Sequence, residues 1–205
     1  SRARLRFASR RRVYYEGRSP AHHFSANGEN LLTGLSHFRG PPPPAPEPIA
    51  ELEDDASETF AQSDRHEARF AFWQVLLAHA NENSDLHSRI SANRFNWLGM
   101  RRHGQWWNYV VLQDEVRVEL YIDAPEAKEN KVLFDALHAD RKAIEAEFEA
   151  RLCWQRLDDK RASRISFTVP GGWVDDTTWP SAVAQAVNAM QRLYRTLAPR
   201  VQAAN

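Results

Sequence analysis

The chain is short of several features that would narrow its chemistry. Cys153 is the one cysteine among 205 residues, so no intrachain disulfide is expected, and the composition fits a reducing, cytoplasmic setting. No apolar run approaches the roughly 18 residues needed to span a bilayer, so no membrane partner is expected. Formal net charge is zero, which removes any global electrostatic pull toward nucleic acid or lipid. His79, His87, His103 and His138 are scattered rather than paired, and zinc sites usually show closer pairs. No metal and no cofactor is expected. Neither a phosphate-binding glycine loop nor a nucleophile elbow occurs.

The charge that is present is segregated. Residues 1–40 carry eight Arg against two Glu, and residues 41–66 carry seven acids against Arg65. Residues 1–40 show no sustained helical or strand period, so a disordered basic leader is expected. The run Arg2, Arg4, Arg6, Arg10, Arg11 and Arg12 has the alternative readings of a transit peptide or a nucleic-acid-binding arm. The first residue is Ser1 rather than Met, as expected of a fragment or a processed form. Pro41 to Pro44, Pro46 and Pro48 fix φ and remove N–H donors, which favours an extended spacer. An acidic run follows. The domain boundary is placed near Ser63–Glu67, giving a leader (1–40), a proline-rich then acidic linker (41–66) and one domain (67–205).

Within the domain, Phe70, Trp73, Leu76, Leu77 and Ala80 fall at helical spacing. A polar loop from Ser84 to Arg94 and a short strand over Phe95–Met100 follow. Trp106–Gln113 is rich in aromatic and β-branched residues, as strands are. Val116, Val118, Leu120 and Ile122 alternate with Arg117, Glu119 and Tyr121, the period of a strand with one buried face. The short Asp114-Glu115 connection makes these two strands an antiparallel hairpin. Asp123 and Pro125 predict the start of a helix that runs to about Glu149, with Leu133, Leu137, Ile144 and Phe148 inward. Two more strands hold Leu152 and Trp154, then Ile165, Phe167 and Val169. A last helix from Thr178 to Ala198 is stopped by Pro199. The fold class is therefore α+β: a largely antiparallel sheet of four or five strands covered by three helices, in the order α-β-β-(β)-α-β-β-α.

Several segments, VRVELYID, ENKVLFDALHADRKAIEAEF and RLCWQRLDDKRASRI above all, resemble a bacterial domain-of-unknown-function family, the one numbered four thousand two hundred and sixty-eight. The resemblance covers about residues 68–199. It implies an accessory domain, since relatives often carry it behind a restriction-endonuclease-like domain while others hold little else. Arg101-Arg102-His103 stands where relatives tend to be rich in Gly and Ser.

The candidate residues form three groups. Arg117, Glu119 and Tyr121, with Lys160, Arg161 and Arg164, are expected to form an exposed polar binding surface. Its bland counterpart is cross-strand ion pairing. Arg101, Arg102, Trp106 and Trp107 combine cations with aromatic faces, suited to phosphate contact and base stacking. Asp114, Glu119 and Lys160 are the residues a divergent metal-dependent phosphodiesterase of restriction-endonuclease-like type would need. The reading preferred is a noncatalytic accessory or interaction module, partnered by DNA or a DNA-processing protein. Its alternatives are that phosphodiesterase and a pure protein-interaction or dimerisation module with an apolar patch around Trp106, Trp107 or Trp173.

Overall fold

The computed structural model describes residues 62–204. The expected leader, proline-rich spacer and acidic run before residue 62 lie outside the described residues. Five strands form one antiparallel sheet in the order β1-β2-β3-β5-β4. They are β1 (Trp97–Arg102), β2 (Gln105–Val111), β3 (Glu115–Ile122), β4 (Cys153–Gln155) and β5 (Ser163–Pro170). The alternating stretch Val116–Ile122 is thus the central strand.

The observed register keeps that alternation intact, because successive side chains point to opposite faces. Val116, Val118 and Leu120 pair with Val111, Tyr109 and Trp107 on β2 and with Val169, Phe167 and Ile165 on β5. This face joins the hydrophobic core under the helices. The main cover is α4 (Trp179–Ala204), which buries Val183, Val187, Met190, Leu193, Leu197 and Val201. Fully burying one such side chain stabilises the fold by about 1.5–3 kcal/mol. On α1 (Gln62–Asn83), Phe72, Trp73, Leu76, Leu77 and Ala80 are buried. The Trp73 indole N–H donates to the Phe95 carbonyl at 2.9 Å, tying α1 to the approach of β1.

The α+β class and the antiparallel sheet agree with the sequence reading; several details do not. The single helix expected from Asp123 to Glu149 is two, α2 (Ala127–Ala139) and α3 (Arg141–Phe148), bent at Asp140 (φ −91°, ψ 10°). Asp123 caps neither, because its carboxylate is taken by Arg161 at 2.7 and 2.8 Å. The buried Asn130 instead brackets Ala124, accepting from its N–H at 2.7 Å and donating to its carbonyl at 3.0 Å. Pro199 does not stop α4, which continues to Ala204. Its ring costs one helical hydrogen bond, but Val201 beyond it is fully buried, and that packing keeps the last turn helical.

Two turns fix the sheet's ends. His103-Gly104 joins β1 to β2 with both φ angles positive, 51° and 76°, which matches the twist of a two-residue hairpin. His103 is held there by its ring, whose Nε2 lies 3.1 Å from the Tyr194 hydroxyl on α4. The β2–β3 turn is Gln113-Asp114, one residue earlier than expected, because the Leu112 N–H donates to the Glu115 carbonyl at 2.9 Å. Gly171 to Trp173 then lies along that turn, with Trp173 N–H donating to Leu112 at 3.0 Å. A Cβ at Gly172 would stand 2.3 Å from the Leu112 and Gln113 carbonyl oxygens. Only glycine allows that approach.

Candidate functional site

The same pairing that sends valines and leucines under the helices sends a different set of side chains to the opposite face. Reading across the strands in register, Arg101, Trp106, Tyr121, Arg164 and Gln155 form one row. Gly99, Asn108, Glu119, Ser166 and Cys153 form the next, and Trp97, Val110, Arg117 and Thr168 the third. Directly opposed side chains on such a face have Cβ atoms about 4.5–5.5 Å apart, so each row is a line of touching groups.

Glu119 sits at the centre and is fully buried. Its Oε2 accepts from Arg117 Nε at 3.0 Å and lies 3.1 Å from Arg164 Nε. Its Oε1 accepts from the Asn108 amide at 3.2 Å. Two guanidiniums share this one carboxylate, with Glu115 adding a weaker attraction on Arg117, in a site where Arg117 is only 7% exposed and Arg164 9%. Burial lowers the Arg117 pKa from its ordinary value, and the neighbouring charge of Arg164 lowers it further, while pairing with Glu119 opposes both. The cluster is incompletely satisfied. Arg117 Nη2 and Asn108 Oδ1 are buried with no hydrogen-bond partner. Arg164 also lies over the Tyr121 ring, 5.7 Å from its centroid, and donates to Gln155 at 3.3 Å. Trp97 meets Trp106 edge to face at 6.3 Å.

The expected exposed surface of Arg117, Glu119 and Arg164 is therefore a buried one. Alternation alone assigns these residues to the second face, but their mutual charge pairing takes them out of water. Tyr121 is half-buried beside them. Lys160 and Arg161 belong elsewhere, in the connection from β4 to β5, where Arg161 grips Asp123. That connection is pinned by Lys131 on α2, whose ammonium donates to the carbonyls of Arg156, Leu157 and Ala162 at 2.6–2.7 Å. Desolvation lowers its pKa.

The second expected group divides in two. Arg101 and Trp106 share a row on the polar face, whereas Trp107 is fully buried in the core and Arg102 points from the other side of β1. Trp107 and Trp173 are buried, so of the three tryptophans expected in an apolar patch, Trp106 alone is half-buried. The third group is not assembled. Asp114 accepts from Gly171 just beyond the end of β5, and Lys160 precedes the start of β5. An eight-residue strand separates them, about 25 Å. Glu119 lies between, committed to arginines. Among the described residues no cluster of three or more His, Cys, Asp or Glu is placed to hold a metal ion.

Sequence reading missed Asn108, Ser166, Gly99 and Trp97. The signal for Asn108 was its position as an amide inside the apolar run Trp106–Val111. Gly99 is its counterpart, since a Cβ there would stand 1.9 Å from Asn108 Oδ1.

The family model described as domain of unknown function (DUF4268) matches residues 68–201. The chain belongs to this family. No curated protein and no solved structure matches the chain. Residues 68–201 of the DUF4268 match take in all five strands and most of α1 and α4, so both faces of the sheet fall inside the family domain. No helix among the described residues is long and apolar enough to cross a membrane.

Proposed function

We propose that this DUF4268 domain is a noncatalytic interaction module that contacts single-stranded nucleic acid through the polar face of its sheet. In that reading it serves as an accessory to restriction-like or other DNA-processing proteins. The observation that carries the reading is the continuous row Arg101–Trp106–Tyr121–Arg164, in direct register across four strands. An antiparallel sheet bearing adjacent aromatic rings beside a cation is an arrangement on which single-stranded bases stack. Trp106 and Trp97 supply ring surface, and Arg101 supplies charge at the exposed edge. Arg164, buried and lying over Tyr121, holds that ring in place from behind rather than meeting the bases itself.

The supporting chemistry is binding rather than bond cleavage. Glu119 is neutralised by two arginines, and a carboxylate so engaged is a poor metal ligand or base. The test is fluorescence anisotropy of the full chain against short single-stranded and duplex DNA, at about 50 and 200 mM salt. Single strands should bind in preference to duplex, and Trp106→Ala should weaken that binding by about 1–3 kcal/mol per stacked base. Arg101→Ala should lower both affinity and salt slope. No binding at the lower salt sinks the reading.

A further inference from the structure

Beyond the end of the polar row, at the β1 edge of the sheet, lies a cavity of about 580 Å³ lined by Asp85, Ser88, Arg89, Met100, Arg101 and Arg102, among others. Its size is that of an ordinary small-ligand site. Its lining is rich in positive charge. Arg94, Arg117, Arg141, Arg156, Arg161 and Arg164 each face a carboxylate within ion-pair distance. Arg89, Arg101 and Arg102 have no such partner among the described residues, although Asp85 lines the same cavity. Arg101 uses its Nε on the Gly104 carbonyl at 3.2 Å, which steadies its side chain. Arg101 and Arg102 reach this edge of the sheet from opposite faces of β1, and with Arg89 they set three guanidiniums against one carboxylate, a surplus of two positive charges.

We infer that this cavity binds a phosphate monoester, the terminal phosphate of the single strand that crosses the sheet face. The inference rests on the proposed function for the strand, but the charge in the cavity does not depend on stacking at the sheet face. An internal phosphodiester carries one negative charge, whereas a terminal monoester carries about 1.5 to 2 near neutral pH, which matches the surplus. Guanidiniums are the groups that grip such an oxyanion by paired hydrogen bonds. Arg101 connects the two sites, because it both lines the cavity and ends the row holding Trp106 and Tyr121.

The experiment compares internally labelled single strands ending in 5′-phosphate, in 3′-phosphate or in hydroxyls at both ends, by anisotropy with the full chain. A nucleoside monophosphate and its nucleoside are titrated by calorimetry beside them. One phosphorylated end should bind about tenfold more tightly than the hydroxyl-ended strand. That preference should fall toward parity in the R89Q/R102Q variant, whose two sites are exposed and whose melting should be unchanged. If hydroxyl-ended and phosphorylated strands bind equally, the cavity inference is overturned and the sheet-face reading stands. If no strand binds but the monophosphate binds and R89Q/R102Q abolishes it, the cavity stands and the sheet-face reading falls. Failure of every probe overturns both.

Discussion

On the helix side of β3, Val116, Val118, Leu120 and Ile122 are buried by apolar neighbours from α4 and the adjoining strands. On the opposite side Arg117 and Glu119 are buried almost as deeply, with Arg164 and Asn108 closing around them. One strand thus presents two cores of opposite chemistry. The apolar face is stabilised by area removed from water and tolerates small changes of shape at modest cost. The polar face is stabilised only while every charge keeps its partner, and it gives little tolerance to removing one. Its unpartnered Arg117 Nη2 and Asn108 Oδ1 mark where it is unfinished as a purely structural core. That difference is the physical reason to look for function on the polar face.

The sharpest way to break the contrast is to remove the central charge. Glu119→Ala should destabilise the domain by about 3–5 kcal/mol, because two guanidiniums are then buried uncompensated. Urea denaturation of the variant beside R117M/E119L/R164M reads this directly. The charge-free triple variant should lose far less, and equal losses would show that the polar face behaves as an ordinary core.

The next effect comes from a histidine on the apolar side that burial keeps neutral. His87 is 1% exposed, packs at a tilt against the Tyr109 ring with centroids 4.9 Å apart, and leaves its Nε2 without a partner. Burial, helped by the charge of Arg102, lowers its pKa from 6.5 to about 4. The unfolded chain therefore takes up a proton near pH 6.5 that the folded chain refuses until about pH 4. Stability is full above pH 6.5 and falls between pH 6.5 and 4 by about 3 kcal/mol from this residue. Unfolding midpoints across that range should decline more steeply for the native chain than for His87→Asn, and parallel curves would refute the assignment.

The smallest effect tests how tightly the polar face is packed. Gly99→Ala places a methyl group on Asn108 Oδ1, and the forced shift of that amide should cost about 1–3 kcal/mol. In an Asn108→Ala background the same substitution should cost clearly less, with the Trp107 carbonyl at 3.1 Å the remaining tight contact. A double-mutant cycle with no coupling between the two sites would mean that Asn108 has another place to go.

Much of this was legible from residue order. The alternation in Val116–Ile122 assigned its two faces, and the spacing of Trp73, Leu76, Leu77 and Ala80 assigned the inward side of α1, although Phe70 in the same stripe is half-buried and Phe72 takes the inward place. Aromatic and β-branched runs marked β2 and β5. The helix boundaries were less legible, because Asp123 and Pro199 carry strong local signals that distant partners override: Arg161 takes the first, and the burial of Val201 outweighs the second. The candidate site was legible only in pieces. Arg101 and Trp106 stood in one group of residues and Tyr121 and Arg164 in another, with nothing local to join them.

By itself, then, the sequence determined which residues alternate, which stretches are helical, and that the class is α+β, since those properties depend on neighbours a few positions apart. Only the tertiary structure decided that β5 lies against β3 with Arg164 opposite Tyr121, that Glu119 is enclosed by Arg117 and Arg164, and that Asp114 and Lys160 stand at opposite ends of a strand. Strand order and register are long-range pairings, fixed by how whole faces bury against one another, and no local pattern encodes them.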